Sequence, residues 1–152
     1  MITRRDLLIA AIAVTATVAG VALAQTVTSK PVMRSSVFNW SSLKVDATAT
    51  GERRNVFDAP TATLDRFECH ITTINPGESS HAPHKHPEEE LMILKEGTLE
   101  SVQNGTTNRV EAGGMIFEAS NEIHGVRNIG STRATYFVFK WYPRDLAKAT
   151  TK

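Results

Sequence analysis

The sequence predicts an all-β fold, an antiparallel sandwich or barrel, and three observations carry that reading. From residue 64 onward, apolar and polar residues alternate over short runs, the period of a pleated strand. Turn clusters rich in Gly, Pro, Asn and Ser separate those runs every eight to twelve residues. No stretch beyond residue 24 carries a helical apolar period, and the runs lie too close together for crossover helices.

The chain begins with a segment unlike the rest. In "MITRRDLL", Arg4 and Arg5 precede an apolar run from Leu7 to Leu23, which ends in Ala22-Leu23-Ala24, an A-x-A cleavage pattern. Residues 1–24 are therefore expected to be an export signal, and "TRRDLL" resembles the twin-arginine consensus. Their removal takes away two arginines and one aspartate and leaves 15 basic and 15 acidic residues. So balanced a chain offers nothing to nucleic acid or an anionic membrane. The sequence thus predicts a periplasmic or otherwise exported protein that leaves the membrane once its signal is cleaved. Cys69 is the single cysteine, so a monomer has no internal disulfide.

Residues 25–63 read as an N-terminal arm. "SVFNWSSLKV" is a candidate short edge strand or arm anchored by Phe38, Trp40 and Leu43. The barrel is expected over 64–143 and a frayed tail over 144–152. Within the barrel, "LDRFECHITTI" sets Phe67, Cys69 and Ile71 on one face, and "NPGESS" is a turn. "EELMILKEG" is an aliphatic strand. Asn104-Gly105 lies between alternating runs, a strong hairpin signal. "EAGGMIFEA" opens on glycines and enters another strand. "RATYFVFKWY" sets Ala134, Tyr136 and Val138 against Thr135, Phe137, Phe139 and Trp141.

Three of the five histidines lie in "HAPHKHPEEE", residues 81–90. His84 and His86 share a face of an extended chain, and Glu90 follows beyond the bend forced by Pro87. Two imidazoles and a carboxylate make a metal triad with open positions. An antiparallel fold can bring His124, in "SNEIHGVRN", over them as a fourth ligand. His81 is expected at the surface, His70 packed or at the surface, and Glu88 and Glu89 solvated.

The stretch "GESSHAPHKHPEEELMILKEG" resembles the first cupin motif, through Gly77, His84, His86, Glu90 and Gly97, with one extra residue before His84. "GGMIFEASNEIHGVRN" resembles the second, through Gly113, His124 and Asn128. Ala119 stands where proline is usual and Asn121 where glycine is usual. Asn tolerates the left-handed conformation, so that turn can survive. The resemblance implies a small single-domain cupin, a double-stranded β-helix or jelly-roll barrel, with a divalent metal held by His84, His86, Glu90 and His124. It also implies a homodimer, for which Phe38, Trp40 and Phe57 of the arm are expected interface anchors.

Three imidazoles and one carboxylate suit several divalent transition metals. Folding before export would favour Mn²⁺ or Fe²⁺, with Ni²⁺, Zn²⁺ and Cu²⁺ also compatible. No nucleophile elbow, phosphate loop or C-x-x-C is present. The reading is a metal-dependent enzyme of dioxygenase, isomerase or lyase type on a small oxygenated molecule, with Glu90 as the candidate base. The alternatives are a non-catalytic ligand-binding or sensing cupin and a structural metal barrel. Tyr136, Arg127, Phe117 and Met92 are the candidates to face the metal across the barrel.

Overall fold

The computed structural model describes residues 30–144, so the expected leader and residues 145–152 of the expected tail lie outside the described residues. Nine strands and one short 3-10 turn, Trp40–Ser42, make up the regular structure of the described residues. They are β1 Asp46–Thr48, β2 Gly51–Ala59, β3 Leu64–Ile74, β4 Glu89–Glu96, β5 Thr98–Gln103, β6 Thr106–Glu111, β7 Met115–Glu118, β8 His124–Asn128 and β9 Ala134–Pro143. One sheet runs β1-β2-β3-β9-β4-β7 and the other β6-β5-β8. Every pairing is antiparallel, as the short connections require. Among the described residues no helix is long and apolar enough to cross a membrane.

Alternation sorts each strand into an inner and an outer row. Ala134, Tyr136 and Val138 of β9 join Ile74, Met92, Leu94, Leu99, Ile116 and Val126 in one core between the sheets. Burying each of the larger aliphatics contributes about 1.5–3 kcal/mol. Phe137, Phe139 and Trp141 point the other way. Phe67, Cys69 and Ile71 do share a face, but it is the outer one, where Cys69 and Ile71 meet Phe38, Trp40 and Leu43. Burial there pushes the Cys69 thiol up to about 12.

The segment expected as an arm differs from expectation in two ways. "SVFNWSSLKV" forms no strand; its regular part is the 3-10 turn. Further on, β2 is a full member of the large sheet, paired with β3 from Gly51↔Ile74 to Ala59↔Phe67. Phe38 and Trp40 pack on their own chain, with Phe38–Phe57 ring centroids at 5.4 Å and Trp40–Phe137 at 6.4 Å. Each ring nonetheless stays partly open to solvent, Phe38 at 42% and Trp40 at 41% exposure.

The turns hold where the sequence placed them. Asn104 and Gly105 both have positive φ and join β5 to β6. Asn121 has φ 61°, so it does take the left-handed place usual for glycine. Gly97, with φ 91°, passes so close to β9 that a Cβ would lie 2.6 Å from Ala134 Cα. Gly113, with φ 86°, has nothing within 4 Å of a would-be Cβ. Gly97→Ala is therefore expected to cost about 2–5 kcal/mol, left-handed strain plus overpacking. Gly113→Ala should cost about 1–2 kcal/mol, the strain alone. Urea unfolding of the two variants checks this, and equal losses would refute it.

Candidate metal centre

The interior changes character along the strands. Below lies the apolar core; above it, the same inward rows carry His70 and Lys140, then Glu90, Glu118 and Gln103. The loop from Gly77 to Pro87 closes this upper half. It runs antiparallel to β8 as an irregular extra strand. Gly77 N–H donates to Asn128 O, Asn128 N–H to Glu78 O, and His84 and His124 exchange two backbone bonds of 2.9 Å. Asn128 is wholly buried and anchors that edge: its amide donates to Ile74 O and Thr132 O and accepts from Gly130 N–H.

These bonds bring the predicted residues together. The ring centroids of His84, His86 and His124 lie 5.2, 4.8 and 4.7 Å apart, pair by pair. One nitrogen from each lies within 4.8 Å of the others. His84 and His86 sit in the loop, and His124 opens β8. Glu90, on β4, stands beside them with Oε2 3.3 Å from His86 Nε2.

Tautomers are fixed by neighbours. His86 Nδ1 lies 2.9 Å from Glu88 O, and His124 Nδ1 lies 2.9 Å from Glu122 O. A carbonyl only accepts, so both rings carry their proton on Nδ1 and present Nε2 as a lone pair. His124 Nε2 and His84 Nδ1 are buried with no hydrogen-bond partner. Burial, then the charges of His81, His124, His86 and Lys140, pushes the His84 imidazole down to about 4, so it stays neutral. Unpaired buried nitrogens are costly, and three imidazoles that each bring a ring nitrogen within 4.8 Å of the others suit a divalent transition metal. The residues fit such an ion.

Sequence reasoning missed Lys140. Its ammonium lies 2.9 Å from Glu90 Oε2 and 3.3 Å from His86 Nε2, bridging two acceptors that would otherwise face each other. The rule that strand lysines point to solvent hid it; side-chain exposure here is 17%. Glu88 was expected to be solvated but is buried beneath Tyr142, whose hydroxyl donates to it at 2.9 Å. Glu89 is half-buried and accepts from the Trp141 indole at 2.8 Å. His70 is packed, and His81 is exposed, edge-on to His84. Of the four candidates to face the centre, Tyr136 and Met92 are buried on the inner rows and line a cavity beside the imidazoles. Phe117 is 50% exposed on the outer row, and Arg127 is exposed with Nε on Gly77 O, so neither faces the site.

Residues 70–140 match the family model for a cupin domain. No curated protein matches the chain. Solved structures with a similar fold include an RmlC-like cupin from Shewanella frigidimarina, at 16% identity and TM-score 0.59, covering 73% of this chain and 95% of that one. The polyketide cyclase RemF from Streptomyces resistomycificus is 23% identical, TM-score 0.58, covering 72% and 80%. A predicted oxalate decarboxylase from Thermotoga maritima is 21% identical, TM-score 0.57, covering 70% and 99%.

Alanine at His84, His86 or His124 should each lower affinity for a divalent metal at least tenfold, whereas His81→Ala should leave stoichiometry at about one ion per chain. Lys140→Met removes a competing charge from two acceptors and should raise affinity about tenfold. The bare interaction of unit charges at this range is about 4 kcal/mol at an effective dielectric near 20, most of it screened or relaxed away. Competition with a fluorescent chelator measures all five variants; an unchanged or weakened Lys140→Met would show that the ammonium does not compete.

Proposed function

With a cupin domain over residues 70–140 as the premise, we propose that the protein is an exported, metal-dependent enzyme acting on a small oxygenated molecule. His84, His86, His124 and Glu90 would hold one divalent ion. The observation that carries the proposal is the convergence of three imidazoles, of which His84 lines, with Glu90, a cavity of about 260 Å³ bounded mainly by polar side chains. A structural metal would be closed on all sides; this centre opens onto a space of ligand size.

A bound ion would supply Lewis acidity and a place to bind substrate oxygen. The chain's own residues supply the rest. Glu90 is the base. Its Oε2 lies 2.9 Å from the Lys140 ammonium, so the carboxylate would keep a charge partner if it left an ion. The Glu88 carbonyl holds the His86 ring from behind, and Tyr142 ties Glu88 down. Tyr136, buried and bonded to Ser80 at 3.2 Å, faces the same cavity.

Dioxygenase, isomerase and lyase chemistry are separated by one measurement. Mn²⁺- or Fe²⁺-loaded protein is incubated with hydroxy acids, β-diketones and catechols while oxygen uptake and product formation are followed. Turnover on at least one class is expected, with Glu90→Gln lowering kcat by about 10²–10⁴. Binding without turnover in every class would make this a ligand-binding cupin instead.

Export before metal choice completes the proposal. Imidazole and carboxylate ligands favour Cu²⁺ by raw affinity. A chain folded around Mn²⁺ or Fe²⁺ in the cytoplasm and carried out folded would escape that order. Replacing Arg4 and Arg5 by lysine should leave folded, metal-loaded precursor in the cytoplasmic fraction. Normal export of that variant would rule the twin-arginine route out.

A further inference from the structure

Arg53 and His70 line the cavity beside the imidazoles, on the wall made by β2 and β3, and the metal centre does not use them. One carboxylate positions both. Glu68 Oε1 accepts from Arg53 Nη2 at 3.0 Å and from His70 Nδ1 at 3.0 Å. Glu68 Oε2 accepts from Arg66 Nη2 at 2.9 Å, a third bond that fixes the group.

Each of the two residues keeps unused capacity. Arg53 has five N–H donors and commits one to Asn55 and one to Glu68. His70 carries its proton on Nδ1, toward Glu68, so Nε2 remains an acceptor. Burial, then Arg53, pushes this imidazole down to about 3, which keeps the ring neutral. Both are positioned by the same Glu68 oxygen and both line the one cavity, so Arg53 and His70 stand side by side on a single wall. Lys140 cannot do the work of Arg53, because its ammonium is committed to Glu90 and His86.

We propose that Arg53 and His70 form a carboxylate-and-hydroxyl subsite beside the metal centre, which makes the substrate a small hydroxy acid. This rests on the reading of the cavity as the substrate pocket. The guanidinium pairs with the carboxylate through its planar fork, and its ordering is already met by Glu68 and Asn55. His70 Nε2 accepts from the hydroxyl. A ligand without that hydroxyl leaves a buried acceptor unpaired, which discriminates more sharply than shape. Electrostatics point the same way. With a divalent ion present, Arg53, Lys140 and the ion outweigh Glu68 and Glu90 by two charges, so the pocket attracts anions.

Lactate, propionate and propane-1,2-diol test this, since the second lacks the hydroxyl and the third the carboxylate. Dissociation constants are read by ligand-observed NMR on the full chain loaded with diamagnetic Zn²⁺. Lactate should bind at least tenfold tighter than either analogue. Arg53→Gln should bring lactate to the level of the diol, and His70→Phe should bring it to the level of propionate, with bound Zn²⁺ unchanged in both. Arg53→Lys keeps the charge and loses the fork; it should bind lactate at least threefold more weakly and the diol as before. Equal binding of lactate and diol by the parent protein, or lactate binding indifferent to Arg53→Gln or Arg53→Lys, overturns the subsite. If Zn²⁺ is absent yet lactate still binds tightest and depends on Arg53, the subsite stands and the metal reading falls.

Discussion

Two backbone hydrogen bonds hold the site together. His84 N–H donates to His124 O and His124 N–H to His84 O, each at 2.9 Å. They join a loop with little regular structure to the first residue of β8, across forty positions of chain. In a narrow antiparallel pair, residues directly opposite set their side chains on the same face, about 5 Å apart. Two imidazoles therefore meet without any side-chain attraction between them. The supporting bonds at Gly77, Glu78 and Asn128 extend the same pairing, and the wholly buried Asn128 amide locks its far end to β3 and the loop before β9. The ligand geometry is thus a consequence of backbone pairing, which is stiffer than rotamers and less sensitive to the ion.

What backbone pairing positions, a single ammonium balances. His86 Nε2 and Glu90 Oε2 are both acceptors and stand 3.3 Å apart. Two lone pairs at that range repel unless a positive charge lies between or beside them. Lys140 supplies it here, and a divalent ion would supply it more strongly. The lysine therefore offsets that repulsion and would compete with an ion for two of the ligands. A buried pair of this kind adds little net stability, because desolvation offsets much of the attraction. Its value lies in holding a carboxylate ready in a low-dielectric pocket.

The sequence made some of this legible and hid the rest for a consistent reason. Backbone demands show directly: Asn104-Gly105 and Asn121 need left-handed conformations, and few residue types supply them. Metal-type residues at short spacing show too, since His84, His86 and Glu90 are improbable as a surface run. The inner polar row does not show. Glu68, His70, Glu118 and Lys140 alternate with aromatic or aliphatic residues, as solvent-facing residues do, so the pattern reads inside out. At the upper ends of β3 and β9 the outer face is apolar, covered in part by Phe38 and Trp40, while His70 and Lys140 look into the barrel. Periodicity reports two faces; it does not report which is covered by an arm of the same chain. The boundary at residue 64 fails for the same cause, because β2 is sheet but carries Glu52, Arg53, Arg54 and Asp58.

Glu118 shows the cost of an inverted barrel. It lies opposite Glu90 across the β4–β7 pair, on the same inward face, and is 1% exposed. Oε2 accepts from Gln103, and Oε1 is buried with no hydrogen-bond partner. Burial first, opposed by Gln103 and His124 but aided by Glu90, holds its carboxyl above the usual range. An acid whose folded pKa is raised subtracts stability as pH rises from its unfolded value through its folded one. His70 and His84 act in the opposite sense: their folded values, about 3 and about 4, lie below the unfolded 6.5, so their burial subtracts stability as pH falls through that interval. The upper barrel thus works against folding from both sides of pH. The aliphatic rows below, with Ile74, Leu94, Leu99 and Ala134 at 2% exposure or less, must carry the fold without it. Separating the two halves along the same strands is what lets a barrel this small keep so many unpaired polar atoms around one point.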